Sequence, residues 1–235
     1  MINPNELKFK DELDAANKLL EVLPQKELID GDFVVVCSSL DSVVLADMVA
    51  NRLDLSYELL FSERLYAPNN PECEIAIVSE TEEIVYNSEL VKAFDISLDF
   101  IYGEAHRKYE EKILKNVYKY RKGKLLENLQ NRNILLVDLG CQTGITALVC
   151  IKSLINLGVK SVVYATPLIA SDILSYFNTL VDSLYYAKKI SNFVDVDFYY
   201  SSRVNVESVM SILEDSPHYL PLQKIQKSKG DINAV

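Results

Sequence analysis

Short apolar runs alternate along the chain with segments in which apolar residues recur every three or four positions. The largely apolar runs are FVVVC at 33–37, YELLF at 57–61, ILLV at 134–137 and SVVYATP at 161–167. Such runs are typical of strands buried on both faces. The periodic segments at 5–23, from residue 43, at 98–120 and after Gly144 predict helices. This alternation predicts a three-layer α/β fold, with helices on both faces of a mostly parallel sheet.

The end of the chain predicts a helix at 169–180, a strand at 182–187 and a last helix at 204–214. From Asp215 onward the sequence has no hydrophobic period, which is typical of a mobile tail. We therefore expect one domain over residues 1–214 and a flexible tail over 215–235.

A different pattern interrupts the chain after the second predicted strand. Turn residues cluster at 68–71, and CEIAIVS (73–79) and EIVYN (83–87) are short apolar segments around a polar link. These features predict a β-hairpin inserted over about residues 62–88, beside the main sheet, as a hood.

Composition narrows the function classes. The formal net charge of −10 and a pI near 4.8 argue against a nucleic-acid or anionic-membrane surface, because both need a basic face. No apolar run approaches the roughly 18 residues of a membrane helix, and the polar start is unlike a signal peptide. We expect a cytoplasmic protein. The four cysteines lack CxxC spacing and the chain has two histidines, so neither a zinc site nor a disulfide framework is predicted.

Candidate chemistry lies in ILLVDLGCQTGIT, residues 134–146. Asp138 follows the predicted strand, at the end where α/β proteins hold ligands. Gly140 and Gly144 would let the backbone approach a ligand, and Thr143 and Thr146 offer hydroxyls beside a helix start. This combination favours a phosphate attached to a hydroxylated sugar. An ordinary loop whose threonines cap the helix stays an equal alternative.

The wording of this stretch resembles two families. VDLGCQTG is similar to the first motif of class I methyltransferases, which holds S-adenosylmethionine, and to the phosphoribosyl pyrophosphate motif of type I phosphoribosyltransferases. A methyltransferase needs most of its sheet after this motif, yet only residues 147–235 follow. It also needs an acid at the end of the next strand, where this chain has Ala165, Thr166 and Pro167. The phosphoribosyltransferase is favoured, and the methyltransferase is the weaker alternative.

The resemblance to phosphoribosyltransferases of a bacterial group extends over roughly residues 8–214. The family has a characteristic segment that leads into the hood. This chain matches it at Arg64, Leu65, Ala67, Pro68, Asn70, Pro71 and Glu72. A Tyr-Arg-x-Gly pattern is matched by Tyr120, Arg121 and Gly123, and an apolar strand ending near a proline by residues 162–167. Their shared order makes the resemblance more specific than any one segment.

The resemblance implies a binding site for a small phosphoribosyl or nucleotide ligand. It places the 5′-phosphate at Cys141, Gln142, Thr143, Gly144, Ile145 and Thr146, and the catalytic Asp138 near the ribose hydroxyls. It also marks Arg64 as an accessory cation. Enzymes of the family transfer phosphoribosyl from phosphoribosyl pyrophosphate to an acceptor, usually with Mg²⁺, in nucleotide metabolism.

Two departures from the family pattern weaken the expectation of activity. The paired acids at the strand end are Asp138 and Leu139 here, so one carboxylate is missing. The pyrophosphate loop, Pro-Arg-Gly-Gly in this group, aligns with Ser39, Leu40, Asp41 and Ser42. Leucine thus replaces arginine, and Asp41 adds negative charge, although Asp41 and Ser42 are also good helix N-caps. A catalytically inactive sensor or binding protein is therefore the second hypothesis. Acceptor, metal requirement and oligomeric state, including a homodimer, stay undetermined.

Overall fold

The computed structural model describes residues 8–204 and 208–222. The strands are β1 (Val34–Cys37), β2 (Tyr57–Leu59), β3 (Ser62–Ala67), β4 (Asn70–Ser79), β5 (Ile84–Tyr86), β6 (Asn133–Val137), β7 (Ser161–Ala170) and β8 (Ser183–Ile190). The α-helices are α1 (Glu12–Val22), α2 (Gln25–Asp30), α3 (Val43–Leu53), α4 (Ser88–Ala93), α5 (Leu98–Lys108), α6 (Leu114–Arg121), α7 (Ile145–Asn156), α8 (Leu174–Phe177) and α9 (Val209–Asp215).

The main sheet has five strands in the order β2-β1-β6-β7-β8, and every pairing is parallel. β1 and β6 lie side by side, with Cys37 opposite Val137. Both strands are buried along almost their whole length, because helices cover both faces. The predicted α/β fold is confirmed.

Two hydrophobic cores lie on opposite faces of this sheet. Val35 and Cys37 face the core built with α1 and α3, whereas Val34 and Val36 face the core built with α7. This division follows from the two-residue period of a strand, which sends successive side chains to opposite faces. The sheet is therefore held from both sides, and the loops at its carboxyl ends have a rigid base.

The hood is a separate antiparallel sheet in the order β3-β4-β5. β3 pairs with β4 from Ser62 and Ser79 at one end to Ala67 and Asn70 at the other. Asn69 takes a left-handed conformation (φ 63°) in the turn between them. The hood thus has one strand more than the predicted hairpin, because residues 62–67 also pair.

The long helix predicted at 98–120 is continuous from α5 to α6 through a π-helical turn at Tyr109–Ile113. The first helix starts at Glu12, with Asp11 as N-cap, whereas the prediction began at residue 5. Residues 1–7 lie outside the described part of the chain, as do residues 205–207 of the predicted last helix.

The prediction of a helix at 169–180 is wrong over most of its length. β7 continues to Ala170, because Leu168, Ile169 and Ala170 pair with the long edge strand β8 and are buried. Only Leu174–Phe177 is helical there.

The prediction of a tail from Asp215 is wrong for residues 216–222. Tyr219 is fully buried and forms a parallel bridge with Tyr57, and the Tyr57 backbone N–H donates to the carbonyl of His218 at 2.8 Å. Residues 216–222 therefore cover the β2 edge of the main sheet. The remaining predicted tail, 223–235, lies outside the described residues.

Within residues 8–204 and 208–222, none of the helices combines the length and apolarity of a transmembrane span.

Candidate functional site

A cavity of about 330 Å³ lies at the carboxyl ends of β1 and β6. Its wall is formed by the loop after β1, the loop after β6 with the start of α7, two hood residues, and the segment at 195–203. Ligands of parallel α/β proteins bind at this edge of the sheet, and the volume lies within the usual range of small-molecule sites.

The loop after β6 brings the whole predicted phosphate-binding set, residues 141–146, to the cavity wall. In α7 the backbone N–H of Leu148 donates to the carbonyl of Gly144, so the N–H groups of Ile145, Thr146 and Ala147 precede the first helical hydrogen bond. The Thr143 hydroxyl lies 3.5 Å from the Ile145 nitrogen, which is a long contact for a cap. This helix start is therefore suited to an anion.

The two glycines of this loop lie close to other parts of the protein, and packing leaves no room for a side chain at Gly144. A Cβ at Gly144 would lie 2.4 Å from a ring carbon of Phe177, and the residue has a positive φ of 75°. A Cβ at Gly140 would lie 3.0 Å from a methyl group of Val196. The close neighbours at both positions are therefore residues of the protein itself, whereas the sequence suggested a ligand.

Asp138 is almost fully buried, 7% exposed, and accepts hydrogen bonds at both carboxylate oxygens. Oδ1 accepts from the hydroxyls of Ser38 and Ser42, at 2.9 and 3.3 Å, and from the Leu139 N–H at 2.8 Å. Oδ2 accepts from the hydroxyl of Tyr164 at 3.1 Å. Burial raises the pKa of Asp138, and these donors oppose that shift. The carboxylate thus joins the loops after β1 and β6, besides lining the cavity.

The loop after β1 contributes Ser39 and Asp41 to the cavity wall. Leu40 packs against a hydrophobic core and lines a neighbouring cavity of about 220 Å³. Ser42 occupies the N-cap position of α3, as predicted, but its hydroxyl points to Asp138 and makes no capping bond to the helix. The loop brings no cation to the cavity, as its sequence predicts.

Sequence reasoning missed the segment after β8, which adds Asp195, Val196, Asp197 and Arg203 to the wall. Arg203 pairs with the carboxylate of Asp197 and lies 3.7 Å from carboxylate oxygens of both Asp41 and Glu12. Its sequence, SSRVN, has neither a motif nor a hydrophobic period. No sequence pattern could have placed Arg203 at the cavity, because residues 203 and 41 come together only in the folded protein.

Carboxylates outnumber cations around the cavity. Arg64 and Arg203 are the lining cations, against the carboxylates of Asp41, Glu74, Asp138, Asp195 and Asp197. Arg64 lies 3.3 Å from a Glu74 oxygen, and burial raises the pKa of Glu74. Among the described residues, no group of three or more histidine, cysteine or acidic side chains is placed to hold a metal ion. A polyanion that binds in this cavity is therefore repelled by the excess of carboxylates around it.

Cys141 and Arg121 have buried side chains. Cys141 has a buried thiol whose pKa is raised by burial, so this side chain is an unreactive part of the core. Arg121, from the Tyr-Arg-x-Gly match, is completely buried against Glu80 and lies outside the cavity wall.

Comparison with known proteins supports the sequence resemblance. The chain is 28% identical over 177 residues to "Putative phosphoribosyl transferase MT0597" of Mycobacterium tuberculosis strain CDC 1551 / Oshkosh, and equally to "Putative phosphoribosyl transferase Rv0571c" of strain ATCC 25618 / H37Rv. These matches cover 75% of this chain and 39% of each relative. The chain thus spans well under half the length of those proteins. The predicted similarity to phosphoribosyltransferases is confirmed.

The fold is also found in a solved structure. TT1426 from Thermus thermophilus superposes with a TM-score of 0.67 at 24% identity, covering 89% of this chain and 99% of that one. No protein-family model matches the chain.

Proposed function

We propose that the cavity binds a phosphorylated ribose, with its 5′-phosphate at the first turn of α7. The observation that carries this proposal is the start of α7, with three N–H groups ahead of the first helical hydrogen bond, opening into a cavity at the carboxyl ends of β1 and β6. The similarity to phosphoribosyltransferases supports ribose phosphate as the ligand class.

The reaction that this resemblance supports is phosphoribosyl transfer. The bond between the ribose C1 and the pyrophosphate oxygen of phosphoribosyl pyrophosphate breaks, and a C1–N bond to a nitrogen acceptor forms. Pyrophosphate leaves with the electron pair, and the acceptor nitrogen loses its proton. Stabilising the leaving pyrophosphate is the main demand of this step, and it calls for cations near the two phosphates.

Binding is tested first, by calorimetry with ribose 5-phosphate and phosphoribosyl pyrophosphate. We expect Thr143→Ala/Thr146→Ala to weaken both ligands by about tenfold, since two hydroxyls beside the phosphate are lost. Thr179→Ala, an exposed threonine outside the cavity wall, is the matched control and should bind like wild type. Absence of binding by either ligand to the wild-type protein would overturn the proposal.

One observation favours a second candidate, a protein that binds the ligand without turnover. Both oxygens of Asp138 already accept hydrogen bonds from protein groups, so this carboxylate has limited capacity to contact the ribose hydroxyls. Measuring pyrophosphate release across a panel of purine, pyrimidine and other nitrogen acceptors separates the two candidates. Binding without release favours the binding protein, and acceptor-dependent release favours the transferase.

The calorimetry can also test whether Mg²⁺ takes part in ligand binding. The described residues form no ready-made metal site, but Mg²⁺ is often held by substrate phosphates with one or two carboxylates. Asp41 and Asp195 are cavity carboxylates that such an ion could use. Repeating the calorimetry with MgCl₂ and with a chelator measures whether the ion enters with the phosphates. Replacing the phosphates by S-adenosylmethionine tests the methyltransferase alternative.

A further inference from the structure

Arg203 brings together three segments that are far apart in sequence. Its guanidinium pairs with Asp197 beyond β8, with Asp41 of the loop after β1, and with Glu12 at the start of α1. The Val204 N–H also donates to a Glu12 oxygen at 2.9 Å, which fixes the backbone next to the arginine. Arg203 is therefore held in place from the buried side and lines the cavity from the other.

The guanidinium still has donors to offer a ligand. Within the described part of the chain it makes one hydrogen bond, to Asp197, out of the five N–H donors of an arginine. Its distances to Asp41 and Glu12 are both 3.7 Å, which is beyond hydrogen-bond length. The Nε is buried on the side of Glu12, whereas Nη2, on the side of Asp41, makes no hydrogen bond with the described residues. A phosphate, which accepts two parallel N–H bonds from arginine, can use donors that these carboxylates leave free.

The carboxylates around Arg203 differ in how easily a ligand can replace them. The Glu12 side chain is 2% exposed and stays with the protein, whereas those of Asp41 and Asp197 are 52% and 76% exposed. Exposed ion pairs are weak and screened by salt, so a polyanion can compete for the guanidinium.

We propose that Arg203 contacts the pyrophosphate group of the ligand and that Asp41 competes with this group for the guanidinium. The inference rests on the proposed function. The sequence resemblance aligns the loop after β1 with the family's pyrophosphate loop and places Leu40 at the position of its arginine. Arg203 reaches the same loop from another segment. It thus supplies a cation on the wall formed by the loop after β1, away from the α7 start that takes the 5′-phosphate.

Arg64 is less suited to this role. Its Nε lies 3.3 Å from Glu74, whose side chain is only 25% exposed, so its nearest carboxylate is on a neighbouring hood strand and is harder to displace. The carboxylate that competes for Arg203 is Asp41, which lies on the loop after β1, the loop that aligns with the pyrophosphate loop.

Calorimetric titrations with inorganic pyrophosphate and, separately, ribose 5-phosphate test the inference. We expect Arg203→Gln to lower pyrophosphate affinity by about tenfold to a hundredfold, the range for losing a charge-assisted pair, and to change ribose 5-phosphate affinity by less than about threefold. Arg203→Lys should recover only part of the loss, because lysine lacks the planar fork. Arg132→Gln, at an exposed arginine paired with Asp32 outside the cavity wall, is the matched control.

A second variant keeps the test valid if Arg203→Gln destabilises the fold. Glu12→Gln/Arg203→Gln removes both charges and leaves hydrogen-bonding groups in place, so no charge stays buried and unpaired. It should show the same selective loss of pyrophosphate affinity. Unchanged pyrophosphate affinity, or equal loss of both ligands in a folded variant, would overturn the inference while ribose 5-phosphate binding to the wild type still supports the proposed function. Wild-type protein that binds neither ligand would overturn both.

The competition by Asp41 has its own measurement. Asp41→Asn should raise pyrophosphate affinity by about threefold to tenfold, because a competing and repelling carboxylate is removed. The gain should disappear in Asp41→Asn/Arg203→Gln, since the two residues act on one interaction. A pyrophosphate affinity that Asp41→Asn leaves unchanged contradicts the competition.

Discussion

Two arginines of this protein each meet several carboxylates, but in opposite surroundings. Arg121 is completely buried with Glu58, also fully buried, and Glu80. Arg203 lies at the cavity with the exposed Asp41 and Asp197 and the buried Glu12. The first cluster contributes to the stability of the fold, because charges buried away from water can be stabilised only by one another. Partial exposure leaves the second cluster free to exchange a carboxylate for a ligand.

The Arg121 cluster joins three elements that frame the hood. Arg121 ends α6, Glu58 lies on β2, and Glu80 follows β4, where it also accepts a hydrogen bond from the Phe61 N–H at 3.0 Å. The guanidinium carbon lies 4.7 Å from the centre of the Phe61 ring. Next to it, the hydroxyls of Ser79, Thr81 and Ser153 bond to one another at 2.8–2.9 Å, which ties the same end of the hood to α7. The hood is thus anchored at its base by two polar clusters.

The largest expected effect is the loss of Arg121. Arg121→Ala would leave Glu80 buried without its cation, and we expect it to lower the free energy of unfolding by about 3 to 5 kcal/mol. Urea denaturation followed by circular dichroism measures this change. A loss below about 1 kcal/mol, the usual size for an exposed pair, would mean that the cluster is not structurally different from the one at the cavity.

The buried cluster should also make stability depend on pH. Burial raises the pKa of Glu58 to about 8, with the charge of Arg121 opposing the shift. Because the folded pKa lies above the unfolded value, the native state holds a proton that the unfolded state releases. The contribution is complete below the unfolded pKa and is lost as the pH rises to about 8, with a slope of up to about 1.4 kcal/mol per pH unit.

Urea denaturation at several pH values between about 5 and 8 measures this slope. Glu58→Gln, which is neutral throughout, should remove it and leave any slope caused by other groups, and Glu27→Gln, on the first turn of α2, is a surface control. If the free energy of unfolding has the same pH slope in wild type and Glu58→Gln, the pH dependence comes from other groups.

Loss of Arg203 should affect stability less than loss of Arg121. We expect Arg203→Ala to lower the free energy of unfolding by about 1 to 3 kcal/mol, because Glu12 stays buried and, among the described residues, keeps the Val204 N–H as its close donor. Adding Glu12→Gln should restore part of the loss, since it removes the buried charge. The same urea measurement checks both variants, and a loss as large as that of Arg121→Ala would make Arg203 a core residue.

The smallest effect is expected at Asp197. Asp197→Asn removes an ion pair whose carboxylate is 76% exposed, and we expect a change within about 0.5 kcal/mol. Asp195→Asn, at a neighbouring acid of the cavity wall, is the matched control. A larger destabilisation by Asp197→Asn would show that the Arg203 cluster also contributes to the fold.

Only those parts of the candidate site that are formed by consecutive residues could be predicted from the sequence. Residues 134–146 contain a strand, a turn and a helix start in succession, so their arrangement follows from local rules, and residues 138–146 line the cavity as expected. The direction of Asp138 could not be predicted in this way. Its oxygens turn to Ser38, Ser42 and Tyr164, which belong to other strands and loops.

Hydrophobic period and neighbouring residues were enough to predict the parallel sheet, the layers of helices and the position of the glycine-containing turn after β6. Three features could be seen only in the folded protein: residues 168–170 continue a strand, Tyr219 covers the edge at Tyr57, and Arg203 faces Asp41. Each of these joins elements distant in the chain. Such contacts arise from sheet order and packing, which a local pattern of apolar and polar residues does not encode.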